Sequence, residues 1–189
     1  MAGDGATYYP EMWKYLVDHY NIKSVIDIGC GRGFSADYFK SLGCEAHGVE
    51  GCLAAVEDSL LEPHEITIHD YQNDGPLAPE KMYDLAWCCE FVEHVQAKFI
   101  PNFMATFQRS RMVAITYAVP GQGGHHHVNE QNVDYWLAQL TLNGFTLDER
   151  LTDECREVAR ADGQKYSPFY ESHFIPRGLI FRNLYASEG

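Results

Sequence analysis

Positive charge is scarce in this chain. It has 14 Lys and Arg residues against 27 Asp and Glu, a formal net charge of -13. Phosphate backbones are held largely by Lys and Arg, so this balance argues against a nucleic-acid partner. It favours solubility through mutual repulsion. No apolar run approaches the roughly 18 residues of a membrane span, and the N-terminus lacks the apolar centre of a signal peptide. The cysteines Cys30, Cys44, Cys52, Cys88, Cys89 and Cys155 include no CxxC pair and lie mostly in or beside apolar runs. That usage fits reduced thiols in a cytoplasmic compartment, not a disulfide framework. Internal repeats and low-complexity tracts are also missing. The expectation is a soluble cytoplasmic protein with neither a membrane nor a nucleic acid as partner.

What is present is an alternation of strand and helix signals over 189 residues, a length that suits one domain spanning 1–189. A first helix is expected over 8–20, with Pro10 at an early position and an apolar stripe of Met12, Trp13, Leu16, Val17 and Tyr20. Strands are expected at 25–28, 46–49, 65–69, 82–89, 112–118, 145–147 and 179–184. Helices are expected at 35–42, 53–61, 98–107 and 130–141, the last with Asn129 as its cap. Strands alternating with helices imply a parallel sheet layered between helices. Residues 148–176 read as an insertion or lid with a short helix near 153–160.

The densest chemistry lies in Val25-Ile-Asp-Ile-Gly-Cys-Gly-Arg-Gly33-Phe34, a buried strand running into a glycine turn and then a helix. Glycines at 29, 31 and 33 let the backbone pass close to a ligand. Glu50 ends the second strand and Asp70 the third. A dinucleotide-binding GxGxxG turn would need Gly at 34, where Phe34 stands, so an NAD-dependent enzyme is the runner-up. No GK[ST] follows, which excludes a P-loop.

These residues resemble the class I S-adenosylmethionine-dependent methyltransferases. The resemblance spans about residues 22–150 and rests on VIDIGCGRG at 25–33, Glu50, Asp70, and YDLAWCCEFVEHV at 83–95. It implies an α/β fold, a Rossmann-like three-layer sandwich whose seven-stranded, mostly parallel sheet runs 3-2-1-4-5-7-6 with strand 7 antiparallel. It implies S-adenosyl-L-methionine as cofactor and S-adenosyl-L-homocysteine as product. By the same resemblance, Asp27, Gly29, Cys30, Gly31 and Gly33 lie beside the methionine end. Glu50 accepts from the ribose hydroxyls, with Gly51 next to it, and Asp70 receives the adenine amino group. Tyr71 and Phe34 pack beside the ring or chain, and Cys89 and Glu90 approach the methionine portion. The NPPY-type segment of amino-methylating nucleic-acid enzymes is absent; CCEF stands there.

A hydroxyl acceptor needs a base, because its proton must leave as the new bond forms. The candidates are His94, in the Glu90–Glu93–His94 segment, and His125, His126 and His127 after strand five. These histidines with Glu90, Glu93 or Glu130 offer metal-ligand chemistry, but adjacent side chains rarely converge on one ion, so no metal site is assigned. Tyr8, Tyr9 and Trp13 form an aromatic group near the cofactor end. Tyr166, Phe169, Tyr170, His173 and Phe174 are expected to line an acceptor pocket or a subunit contact. The reading is O-methylation of a small polar metabolite or a sugar or glycan hydroxyl, by a monomer or homodimer. N-methylation of a small molecule or protein, or an inactive cofactor-binding partner protein, are the alternatives.

Overall fold

A computed structural model of the protein describes residues 5–166 and 172–186. Its strands are β1 (Ser24–Ile28), β2 (Glu45–Glu50), β3 (Ile66–Ile68), β4 (Tyr83–Cys88), β5 (Ser110–Ile115), β6 (Phe145–Leu147) and β7 (Leu179–Asn183). Its helices are α1 (Pro10–Tyr20), α2 (Phe34–Ser41), α3 (Leu53–Glu57), α4 (Ile100–Phe107), α5 (Val133–Leu142), α6 (Glu149–Tyr166) and α7 (Phe174–Arg177). The strands form one seven-stranded sheet in the order β3-β2-β1-β4-β5-β7-β6, as the resemblance implies. β1 through β5 pair in parallel, and β7 runs antiparallel to both β5 and β6.

The central strands read as continuous apolar runs because both faces are covered. In β4, Leu85 and Trp87 pack on the face covered by α1, α2 and α6. Tyr83, Ala86 and Cys88 pack on the face covered by α4 and α5. Trp13, Leu16 and Phe39 fill the first layer; Phe103, Phe107 and Trp136 fill the second. Phe174 stacks on Trp87 with ring centroids 5.6 Å apart, and both rings are buried.

Three helices depart from their expected spans by three residues or more, each for a local reason, and the fifth strand runs over 110–115 instead of 112–118. α3 stops at Glu57 instead of 61, since none of its side chains is buried and the Leu60 N–H turns back to donate to the Arg32 carbonyl at 2.9 Å. α5 starts at Val133, capped by Asn132, whose Oδ1 accepts from Tyr135 N at 3.1 Å; Asn129 is not the cap. The expected short helix at 153–160 extends over Glu149–Tyr166. Its Leu151, Cys155, Ala159 and Asp162 recur on one buried face that packs on α1.

Asp162 accepts from the backbone N–H groups of Glu11 and Met12, both at 3.1 Å, and so caps the start of α1 from another helix. Tyr9, fully buried, ties the same corner together. Its hydroxyl donates to the Ala6 carbonyl and accepts from Phe174 N at 3.0 Å. Among the described residues no helix is long and apolar enough to cross a membrane.

Candidate active site

The strand tips of β1 and β4 open into a cleft of about 910 Å³. Asp27, Gly29, Cys30, Gly31, Phe34, Cys89 and Glu90 line it, with Tyr8, Trp13, Tyr166 and His173 on its other walls. A neighbouring hollow is lined by Glu50, Gly51, Asp70, Tyr71 and His94. Gly29 and Glu90 border both, so the two join at the junction of β1 and β4.

The glycine turn is built from close backbone approaches. Gly29 N and Cys30 N both donate to the Val49 carbonyl, at 2.9 and 3.2 Å. Gly29 has φ +70°, and a Cβ there would lie 2.5 Å from Phe91 Cδ2. Gly31 has φ +54°, and a Cβ there would meet open space. Only glycine fits the first for packing; at the second, left-handed backbone is the reason, and the bare turn faces the cleft. Gly33 is the N-cap of α2, outside the cleft lining.

Glu50 does more than end a strand. Its Oε2 accepts from Gly31 N at 2.8 Å and its Oε1 from Cys52 N at 2.7 Å. Asp70 lines the side hollow while its carboxylate closes a turn, accepting from Gln72 N at 2.8 Å and from the Asn73 side chain at 2.5 Å. Tyr71 is 2% exposed, and its hydroxyl is bonded to Thr106 Oγ1 at 2.8 Å. It is therefore chiefly a packing residue whose edge reaches the hollow.

Asp27 is 2% exposed at the tip of β1, bonded by the Ser35 hydroxyl. Burial pushes its carboxyl up to about 7, against the pull of its hydrogen bonds to Ser35 and Ala36. Glu90 sits just past β4 with φ +52°, an uncommon conformation for a non-glycine residue. Its N–H donates to Thr116 Oγ1 at 2.7 Å, the Thr116 hydroxyl reaches its Oε1 at 2.8 Å, and His173 Nδ1 lies 3.1 Å from its Oε2. A residue strained at its backbone, with its carboxylate held by both Thr116 and His173, is a preorganised group.

The four candidate histidines separate. His125 and His126 are exposed and line neither hollow. His127 lines the main cleft and His94 the side hollow, their rings edge to face at 5.0 Å. Burial holds His94 below the usual histidine range, helped by the neighbouring His127 charge. Of the aromatic group expected from the C-terminal region, Tyr166 and His173 reach the cleft and Phe174 is core. Phe169 and Tyr170 lie outside the described residues.

Glu130 is the residue that sequence reasoning undervalued. Its carboxylate accepts from Gly121 N at 2.8 Å and Gly123 N at 2.7 Å, and lies 3.3 Å from His127 Nδ1. It thereby folds the glycine–histidine loop around itself and orients His127. The available signal was an acid three residues after His127, behind a stretch with three glycines.

A parallel sheet with one antiparallel strand in this order, a glycine turn at the tip of β1 and an acid at the tip of β2, define a class I S-adenosylmethionine-dependent methyltransferase. A family model described as a methyltransferase domain matches residues 12–141, and the chain belongs to that family. It is 25% identical over 182 residues to the ubiquinone biosynthesis O-methyltransferase of Rickettsia felis, covering 84% of this chain and 73% of that protein. It is 27% identical to the Rickettsia typhi protein of that name, but spans only 42% of its length. Its fold is similar to that of magnesium protoporphyrin IX methyltransferase from Synechocystis PCC 6803, solved with S-adenosylhomocysteine bound. The TM-score is 0.61 at 15% identity, over 90% of this chain and 80% of the other.

Proposed function

We propose that the protein transfers a methyl group from S-adenosylmethionine to a hydroxyl of a small polar molecule. The observation that carries the reading is the pair of joined hollows across the strand tips. One is bordered by acids at the ends of β2 and β3, and the other ends at His127 and His173. The cleft volume lies in the range of about 300–1,000 Å³ typical of small-ligand sites. The relatives named as O-methyltransferases support oxygen as the acceptor atom.

The cofactor, when bound, supplies a methyl on a sulfonium and a neutral thioether leaving group. The protein's own task is alignment and proton removal. Glu50, already anchored to the turn, has lone pairs left for ribose hydroxyls. Asp70 offers its turn carboxylate to the adenine amino group. Asp27, with the backbone at 29–31, faces the methionine amino group; a cation there favours its ionised form. Phe34 and Cys89 supply apolar wall, and Glu90 borders the methionine portion. The acceptor enters at the His127 rim, where its proton leaves.

Incubation with methyl-labelled cofactor and a panel of phenols, polyols and sugars tests this, with the product's methylated atom assigned by NMR. Oxygen methylation is the expected result. Transfer only to amines, or S-adenosylhomocysteine binding with no transfer across the panel, would overturn it.

A further inference from the structure

We propose that Glu93, His94 and His127 form a binding site for a divalent transition-metal ion at the acceptor end of the cleft. One potential ligand atom from each of these residues lies within 4.8 Å of the other two. Metal–nitrogen and metal–oxygen bonds of about 2.0–2.2 Å place neighbouring ligands roughly 3–3.4 Å apart, so small side-chain rotations close the set. In sequence, neighbouring histidines diverge and cannot share an ion. The fold solves this by bringing His127 from the loop after β5 onto the Glu93–His94 pair after β4.

Three independent features show a built arrangement. First, Glu93 is 0% exposed, and among the described residues its carboxylate oxygens accept no well-formed hydrogen bond from an N–H or alcohol donor; their side-chain neighbour is a second acid, Glu90. A buried carboxylate left bare is unfavourable without a compensating cation. The nearby Glu90 carboxyl adds repulsion, and the Arg177 charge, whose guanidinium is bonded to His173 at 3.3 Å, offsets only part of it.

Second, the loop carrying His127 is pinned to Glu93 itself: Val128 N and Asn129 N donate to the Glu93 carbonyl at 2.9 and 3.0 Å. Gly124 makes room for the imidazole, since a Cβ there would lie 2.5 Å from His127 Nε2.

Third, both rings are oriented from behind. Glu130 sits at His127 Nδ1, which leaves Nε2 with a lone pair, and the His126 backbone is hydrogen-bonded to the His94 ring. Such outer partners are what fix tautomers at metal sites.

Two imidazoles with one carboxylate suit zinc, manganese, iron or cobalt better than calcium or magnesium. Three protein ligands leave coordination positions for an acceptor oxygen. Coordination lowers the pKa of that hydroxyl. Its proton passes to solvent as the oxygen–methyl bond forms and the sulfur–methyl bond breaks, releasing the neutral thioether. This role rests on the O-methylation reading; the binding itself does not.

The test uses the whole protein, stripped with a chelator and titrated with Co²⁺ alone, followed by visible absorption and calorimetry. One equivalent should bind with ligand-field bands. His94→Ala, His127→Ala and Glu93→Gln should each weaken binding at least 100-fold while near-UV circular dichroism shows native packing. Should Glu93→Gln fail to fold, the two partly exposed histidines decide. Absence of stoichiometric binding, or undiminished binding in the variants, overturns the site. Cobalt binding without transfer to any hydroxyl would remove the O-methylation reading alone. Full transfer by chelated protein that binds no cobalt would remove the metal alone.

Discussion

The backbone N–H of Gly31 donates to Oε2 of Glu50 across 2.8 Å, so the acid that ends the second strand also fastens the turn that follows the first. One carboxylate thus couples the geometry of the glycine turn to the side hollow. Replacing Glu50 with Ala should weaken S-adenosylhomocysteine binding about 10- to 100-fold, as charge-assisted hydrogen bonds of roughly 1.5–3 kcal/mol are lost. Calorimetric titration measures this. Affinity within twofold of the unmodified protein would dismiss the role.

Asp27 should make stability depend on pH. Its folded-state value of about 7 lies above the ordinary 3.8, so the folded protein holds a proton that the unfolded chain has released. Its contribution to stability therefore falls as pH rises from about 4 through 7. Between pH 5 and 8 the loss is on the order of 2–3 kcal/mol. Urea denaturation of the ligand-free protein at both pH values checks this. The Asp27→Asn variant should show a correspondingly flatter profile; parallel profiles would refute the assignment.

Asp162 should matter to the fold although no chemistry runs through it. Truncation to Ala leaves the N–H groups of Glu11 and Met12 without their acceptor at a buried helix start. The expected loss is about 1–2 kcal/mol, the size of a missing N-cap. A thermal melt reads it, and an unchanged Tm would mean that solvent replaces the carboxylate.

The histidine run should divide functionally as it divides in space. His125→Ala should leave turnover within about twofold, because surface substitutions away from a site act weakly. His127→Ala should lower kcat by about 100-fold or more, the scale of lost proton-transfer or metal assistance. Equal losses at both positions would contradict the geometry. A conservative Glu130→Gln should fall between them, acting through the orientation of His127.

The strand–turn–helix signal at 25–34, the strand-end acids and the helix at Pro10–Tyr20 were legible because each rests on local rules. These are apolar runs, glycine's conformational freedom and proline at a helix start. The long helix at 149–166 was harder to read. Its buried face is made from Leu151 followed by Cys155, Ala159 and Asp162, and these last three, small or polar, give a weak apolar period. The start of α5 shifted because Asn132, not Asn129, meets a free backbone N–H.

The sequence by itself determined the class of fold and the place of the glycine turn, since short-range steric and solvation preferences decide them. It could not choose among four histidines, or pair Glu93 with a residue 34 positions away. Those choices belong to the tertiary structure, because a side chain's chemistry depends on which distant groups exclude water from it and which bonds remain unmade around it.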